Sequence, residues 1–301
     1  MTDGAGHGFT ELTVPDSAKP GFTRVPSETS GIEFRNPLSE ERSLANRVLL
    51  SGSGVALGDV DGDGWCDLYF CGLDRDNALY RNLGGWRFEE ITTASGVACA
   101  GQDSTGAVLA DVDGDGDLDL LVNSFGNGTR LFLNDGAGRF TENTVAAGIG
   151  SRSGSTSMAL ADVDGDGDLD LYVAHFRPDT IQDQVSTRFR IRMVNSRPVV
   201  ALVNNRPTST PDLKDRFVVT PNGTVLELGE PDVLFLNDGV GRFSLVPFDG
   251  GAFLDESGRP LSEPPRDWGL AVQFHDFTGD GAPDLYVCND LYTPDRIWVN
   301  D

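Results

Sequence analysis

The pattern of apolar and polar positions repeats four times along the chain. Each copy has a short apolar run, an acidic segment rich in glycine, and a second apolar run that begins with Asp-Leu. The copies are Gly54–Phe70, Gly106–Val122, Ser157–Val173 and Gly269–Val287. Their first aspartates are separated by 52, 51 and 114 positions. Short apolar runs between turn residues, without helical periodicity, predict β-strands.

A second shared element follows the first three copies. It runs from an asparagine to a phenylalanine six residues later, at Asn82–Phe88, Asn134–Phe140 and Asn237–Phe243. The fixed spacing predicts a glycine turn between two strands. Four short strands in a period of about 51 residues are typical of a propeller blade. The predicted fold class is therefore all-β, a β-propeller of four-stranded blades near residues 54–97, 106–149, 157–248 and 269–301.

The two ends of the sequence add two expectations. Residues 1–20 are polar and predicted to be irregular, whereas residues 21–301 form the partial propeller. Residues 22–32 resemble residues 88–97, which predicts a lone copy of the last strand of a blade. Because three and a half blades cannot close a ring, the propeller is predicted to be incomplete here. An open ring would expose blade faces, which we expect to carry Leu68, Tyr69, Leu120, Leu171 and Tyr172.

The long third spacing contains an insertion at about residues 177–230, between the second and third strands of the third blade. It holds eight of the 23 basic residues against six acidic ones, a local balance of +2 in a chain of net charge -24. Alternation from Phe189 predicts a hairpin on the propeller rim. Two interpretations remain open. Either the arginines pair with nearby aspartates, or Arg188, Arg190 and Arg192 bind an anionic partner, a protein or a glycan.

The acidic segments have the pattern D-x-D-x-D-G-x-x-D. Carboxylates at positions 1, 3, 5 and 9, with glycines at 4 and 6, predict a tight loop around a hard cation, and an all-oxygen site favours Ca²⁺. Position 7 varies, which is expected where the backbone carbonyl is the ligand. The predicted ligands for up to four Ca²⁺ ions are Asp59, Asp61, Asp63, Trp65 and Asp67; Asp111, Asp113, Asp115, Asp117 and Asp119; Asp162, Asp164, Asp166, Asp168 and Asp170; and Asp276, Thr278, Asp280, Ala282 and Asp284.

Two other interpretations of the acidic loops, an EF-hand and a set of solvated turn residues, fit the sequence less well than a calcium-binding loop between two strands. An EF-hand needs Glu at position 12 and flanking helices, whereas these loops have Phe or Val there and flanking strands. Solvated turn aspartates would account for one copy, but not for four copies in constant register. The fourth loop is the least complete, because Thr278 replaces the carboxylate at position 3.

On these residues the repeat resembles the FG-GAP or VCBS repeat of integrin alpha-type propellers. The order of the acidic loop, the Leu-Tyr-Arg-Asn strand and the Arg-Phe strand is similar to bacterial relatives of cartilage acidic protein, in which an ASPIC/UnbV domain follows the propeller. The resemblance spans residues 21–301. It implies a propeller of seven blades, and an exported protein that is extracellular, periplasmic or on the cell surface. No signal peptide is visible in the sequence.

Charge and motif content exclude several function classes. The net charge of -24 disfavours nucleic acid binding, and no apolar run is long enough to span a membrane. His7, His175 and His275 lack the spacing of a metal site or a triad, and no nucleotide-binding or hydrolase motif is present. The sequence thus predicts a non-catalytic, calcium-binding propeller for protein or glycan binding. The alternative is the propeller of a calcium-dependent polysaccharide lyase.

The four cysteines, Cys66, Cys71, Cys99 and Cys288, leave the redox compartment open. Cys66 and Cys71 lie too far apart along one extended segment to form a disulfide. We therefore expect both of them to be free thiols. The sequons at Asn127 and Asn222 are expected to be chance matches.

Overall fold

The computed structural model describes residues 22–184, 186–290 and 292–300, and these residues are nearly all β. The strands are β1 (Val55–Gly58), β2 (Asp67–Phe70), β3 (Ala78–Asn82), β4 (Phe88–Glu90), β5 (Asp103–Ala110), β6 (Asp119–Phe125), β7 (Gly128–Asn134), β8 (Phe140–Glu142), β9 (Gly154–Ala161), β10 (Asp170–Phe176), β11 (Phe189–Val194), β12 (Arg197–Val203), β13 (Arg206–Pro207), β14 (Phe217–Val219), β15 (Val225–Glu227), β16 (Val233–Asn237), β17 (Phe243–Val246), β18 (Gly269–His275), β19 (Asp284–Asn289) and β20 (Arg296–Trp298).

The helices are short. They are α1 (Ser27–Ser30), α2 (Glu40–Ala45), α3 (Thr92–Ser95) and α4 (Thr144–Ala147), with 3-10 turns at Arg47–Ser51, Ile181–Asp183 and Phe248–Gly250. The longest of the described helices has six residues. A bilayer-spanning helix is therefore not found in the described part of the chain.

The strands form a series of antiparallel blades. The first blade is β1-β2-β3-β4, the second β5-β6-β7-β8 and the third β9-β10-β16-β17, and β18-β19-β20 form the fourth. Each blade is a meander in which the acidic loop joins its first two strands. The prediction of an all-β, propeller-like fold from four-stranded units is confirmed.

Apolar layers lie between successive blades. Tyr69 of the first blade packs with Leu120 of the second, and Tyr172 of the third packs with Leu285 of the fourth. The first strands of neighbouring blades approach so closely that a Cβ atom on Gly54 would lie 2.8 Å from the Cα of Gly106. Glycine is therefore required at this contact.

The expected exposure of blade faces is mostly wrong. Tyr69, Leu120, Leu171 and Tyr172 are at most 1% exposed, because the faces that carry them pack between blades. The larger apolar exposure is on the opposite face of the first blade, where Leu57 is 61% exposed. Leu68 on that face is half-buried.

The N-terminal copy of a blade's last strand is also not found. Residues 22–26 are not in a strand, and the similarity to residues 88–97 instead reflects α1, which corresponds to α3 and α4. Each of these helical turns ends at a glycine with positive φ. A strand needs a pairing neighbour, and no described strand pairs with residues 22–26. The expectation for residues 1–20 lies outside the described residues.

The insertion forms its own small β subdomain after β10. β11 and β12 form a hairpin whose turn residues, Asn195 and Ser196, have φ angles of 49° and 64°. β13 extends this sheet, and β14 and β15 form a second hairpin. Val200, Val203 and Leu213 form its core. The predicted hairpin is therefore present, and its place on the propeller rim stays a prediction.

Candidate metal centre

The aspartate at position 9 anchors each acidic loop to its blade. In the first loop, Asp67 is fully buried at the start of β2; its two oxygens accept backbone N–H groups of Val60, at 2.9 Å, and Asn82, at 2.7 Å. Asp119, Asp170 and Asp284 have the same two kinds of partner in the other blades. Position 9 therefore joins three strands of one blade, and Asp67 and Asp170 also belong to groups of converging carboxylates.

The first aspartate of each acidic loop accepts a hydrogen bond from the second glycine of the same loop. In the first loop Asp59 accepts from the amide of Gly64 at 2.7 Å, a bond that the glycine's φ of 87° makes possible. The equivalent bonds are Gly116 to Asp111, Gly167 to Asp162 and Gly281 to Asp276, each at 3.0 Å. The same fold of the loop thus recurs in all four blades.

Three groups of carboxylates converge closely among the described residues. They are Asp59, Asp61 and Asp67; Asp111, Asp113 and Asp115; and Asp162, Asp164 and Asp170. Within each group the ligand atoms lie within 4.8 Å of one another, about twice the 2.3–2.6 Å of a Ca–O bond. The acidic clusters are therefore compatible with a metal ion. Ca²⁺ itself, and four ions, remain predictions.

The electrostatics of the loops also suit a cation. Burial raises the pKa of Asp119 to about 6, although two backbone amides oppose the shift. Burial likewise raises the pKa of Asp67 and of Asp170, with neighbouring loop aspartates adding to it. A buried carboxylate among like charges favours protonation or a bound cation. The donor set and its charge therefore fit a divalent ion.

The side chains at position 7 contact the turn between the third and fourth strands. A Cβ atom on Gly136 would lie 2.4 Å from Asp117, and one on Gly239 would lie 2.4 Å from Asp168. Trp65 covers Gly84 in the first blade. The side chain at position 7 thus packs on the hairpin turn in the first three blades, and this place accepts both Trp and Asp. That the backbone carbonyl at this position binds the ion stays a prediction.

Sequence reasoning missed an asparagine that connects successive blades. The Nδ2 of Asn134 in the second blade donates to the carbonyl of Val60 in the first acidic loop, at 2.9 Å, and to that of Leu118 in its own loop, at 3.1 Å. Asn237 and Asn300 repeat the contact to Val112 and Val163, each at 2.8 Å. The sequence signal that could have predicted this contact is the asparagine that all four copies have at the end of the third strand.

Neither of the two described histidines belongs to a group of converging carboxylates, although His275 directly precedes Asp276 of the fourth acidic loop. His175 is 3% exposed and its Nδ1 contacts the carbonyl oxygen of Pro231 at 2.6 Å, and burial lowers its pKa to about 4. The nearby Asp232 accepts from the backbone of His175 and from the hydroxyl of Tyr172. His275 is exposed at the end of β18 and stacks edgewise on Phe277. His7 lies outside the described residues.

The cysteines are free thiols in the described structure. Cys71 and Cys99 are buried, whereas Cys66 is exposed. Burial raises the pKa of Cys71 to about 12, which keeps it protonated and unreactive at neutral pH.

The insertion arginines divide into two groups. Arg177 and Arg216 are buried; Arg216 pairs with Glu227 at 2.6 Å, and Arg177 with Glu230 at 3.7 Å. The exposed Arg206 pairs with Asp212 at 2.8 Å. In contrast, no ion pair is found within the described residues for three exposed arginines of the hairpin, Arg190, Arg192 and Arg197.

Comparison with known families identifies the repeated unit. Residues 59–122 and 111–173 each match the FG-GAP-like repeat. The chain contains FG-GAP-like repeats. The two matches cover the first three acidic loops, so the resemblance drawn from the loop pattern is confirmed.

Two further similarities are more limited. Cartilage acidic protein 1 of Xenopus tropicalis is 30% identical over 82 residues, which are 27% of this chain and 13% of that protein. A solved structure, BBS1N in complex with ARL6DN and soaked with lead, is 12% identical in sequence. The alignment covers 77% of this chain and 75% of the chain in that structure, with a TM-score of 0.27. A score this low does not support a structural argument.

Proposed function

We propose that this chain is a calcium-binding, non-catalytic β-propeller that binds a protein partner outside the cytoplasm. The observation that carries the proposal is the convergence of three carboxylates in each of three repeated loops. Hard oxygen donors in a loop of this kind favour Ca²⁺ over softer metals. FG-GAP repeats, which are typical of extracellular proteins, support the location.

The ligand set gives a direct test of calcium binding. Replacing Asp115 with Ala removes one carboxylate of the second loop, and isothermal titration calorimetry should then show one ion fewer. Asp135→Ala is the matched control, because that aspartate lies in the hairpin turn of the same blade, outside the loop. Ca²⁺ at a hundredfold excess over Kd should stabilise the fold by about 3 kcal/mol. No heat of binding, together with a melting temperature that chelator does not change, would contradict the proposal.

The hairpin of the insertion supports the partner-binding part. Cross-strand pairs share a face of a sheet, and Arg192 lies opposite Val199 while Val194 lies opposite Arg197. Arg190 and Arg192 alternate on β11, so Arg190, Arg192 and Arg197 lie on one face. Arg188 precedes the strand, and its backbone N–H donates to Asn204.

The opposite face of the hairpin is apolar: Val200, opposite Ile191, is buried in the core of the insertion, whereas the part of this face near the turn is exposed. Ile191 is 43% and Met193 65% exposed. Arginine and methionine are enriched in protein interfaces, whereas glycan sites usually offer an exposed aromatic platform that this hairpin lacks. The combination favours an acidic protein segment with apolar side chains as the partner.

Binding to defined probes tests this part. A peptide of alternating glutamate and leucine should bind the protein in a salt-dependent manner, and heparin more weakly. A triple variant with Ala in place of Arg190, Arg192 and Arg197 should lose peptide binding but keep its Ca²⁺ affinity. The control variant has Ala at three exposed arginines of the propeller, Arg139, Arg152 and Arg242. Binding of heparin alone would indicate a glycan instead, and cleavage of an acidic polysaccharide would overturn the non-catalytic assignment.

A further inference from the structure

The first acidic loop contacts a basic side chain from its own blade. Arg81 lies on β3, and its Nε is 2.6 Å from Oδ2 of Asp61, while its Nη2 is 3.6 Å from Oδ2 of Asp63. The Asp61 side chain is only 9% exposed, so this ion pair is partly shielded from water. Positions 3 and 5 of the first loop therefore already face a positive charge.

The other three blades have an apolar residue at the place of Arg81. The residue before the asparagine that ends the third strand is Leu133 in the second blade and Leu236 in the third, and Val299 has the same place before Asn300 in the fourth. None of these side chains can neutralise a carboxylate. The first three loops, which share aspartates at positions 1, 3, 5 and 9, therefore differ in the charge that surrounds them.

We propose that Arg81 is a built-in counter-ion that weakens divalent cation binding in the first loop relative to the second and third. This inference rests on the proposed calcium-binding function. An ion bound by Asp61 would be repelled by the guanidinium on the same carboxylate. The guanidinium also lies 2.6 Å from Oδ2 of Asp61, so an ion that binds this oxygen has to displace it.

The consequence is a graded response to the cation. The second and third loops fill first as the cation concentration rises, and the first loop fills after them. In the absence of the cation, Arg81 partly neutralises the first loop, which otherwise has four mutually repelling aspartates. The first blade is thus less dependent on the cation for its stability than the blades that follow it.

A reciprocal pair of substitutions tests the inference. Arg81→Leu gives the first loop the residue of the second and third blades, and Leu133→Arg places an arginine beside the second loop. The first substitution should tighten cation binding in the first loop by about tenfold, the effect expected for one unit charge beside a ligand. The second substitution should weaken binding in the second loop.

The first loop has its own spectroscopic reporter. Trp65 lies at position 7 of that loop, where the other loops have Asp117, Asp168 and Ala282. Terbium luminescence sensitised by Trp65 therefore follows the first loop, and Trp65→Phe identifies the signal. Competition with Ca²⁺ then gives the affinity, and the increase in melting temperature on adding Ca²⁺ is the second readout. This increase in melting temperature should be larger in Arg81→Leu than in the unchanged protein.

The outcomes separate the two proposals. Cation binding in the second and third loops with an unchanged first-loop midpoint in Arg81→Leu would overturn this inference alone. Weaker binding in Arg81→Leu would also overturn it, and would make Arg81 a positioning residue for Asp61. If neither terbium nor Ca²⁺ binds any loop, the proposed function fails and the inference fails with it.

Discussion

Replacing Asn134 with Ala should destabilise the protein far more than the same change at Asn82. The side chain of Asn134 is 7% exposed and donates two hydrogen bonds, one to the carbonyl of Val60 in the preceding blade and one to that of Leu118. Asn82 is the equivalent residue of the first blade. Its Nδ2 donates only to the carbonyl of Cys66, at 2.9 Å, near the surface.

The size of the difference follows from these bonds. Each buried hydrogen bond contributes about 1 kcal/mol, and a carbonyl left unpaired in the interior costs more. Asn134→Ala should therefore lower the free energy of unfolding by about 2–3 kcal/mol, and Asn82→Ala by about 1 kcal/mol or less, since water can reach its partner. The change at Asn134 should also weaken cation binding in the first loop, because the Val60 carbonyl adjoins Asp59.

Urea denaturation with both variants, in Ca²⁺ and in chelator, measures these quantities. Equal losses in the two variants would refute the idea that this asparagine couples neighbouring blades. A loss that is confined to the second blade, as seen by hydrogen exchange, would refute it as well.

Three further predictions concern other parts of the molecule. Trp86 has a φ of 62° at a turn position where the second and third blades have glycine, so Trp86→Gly should stabilise the protein by about 1 kcal/mol in thermal unfolding. An equal or lower melting temperature would contradict this strain. The pKa of His175 is lowered to about 4 in the folded protein, so the unfolded protein binds a proton on this residue at a higher pH than the folded one. The free energy of unfolding therefore falls as the pH drops from about 6.5 toward 4. Between pH 7 and pH 5 the free energy of unfolding should therefore fall by about 2 kcal/mol less in His175→Gln than in the unchanged protein. Burial raises the pKa of Asp232 to about 7, so this residue stabilises the fold as the pH drops; it does so in both proteins, and its effect cancels in the comparison. Finally, Leu57→Lys should reduce self-association in light scattering without lowering stability, because this side chain is 61% exposed.

The local features of this protein can be predicted from its amino-acid sequence alone. The acidic loop is nine residues long, and its hydrogen bonds, such as Gly64 to Asp59, connect residues a few positions apart. Glycine in these loops adopts positive φ, which other residues rarely do. The spacing of aspartate, glycine and asparagine therefore sufficed to predict the blade and the loop. Of the predicted ligands, three aspartates in each of the first three loops converge, and no such group is found among the described residues of the fourth.

Which groups meet across blades and within the insertion depends on the tertiary packing. Apolar strands alternate, but their alternation does not say which face packs on a neighbour, and so the exposure of Tyr69 and Tyr172 was predicted wrongly. Charge counting could not distinguish the buried Arg216, paired with Glu227, from Arg192, which has no ion pair among the described residues. Nor could it place Arg81 on Asp61. The reason is physical: these contacts depend on how separate strands stack in space, and residues far apart in sequence meet only after the blades have packed.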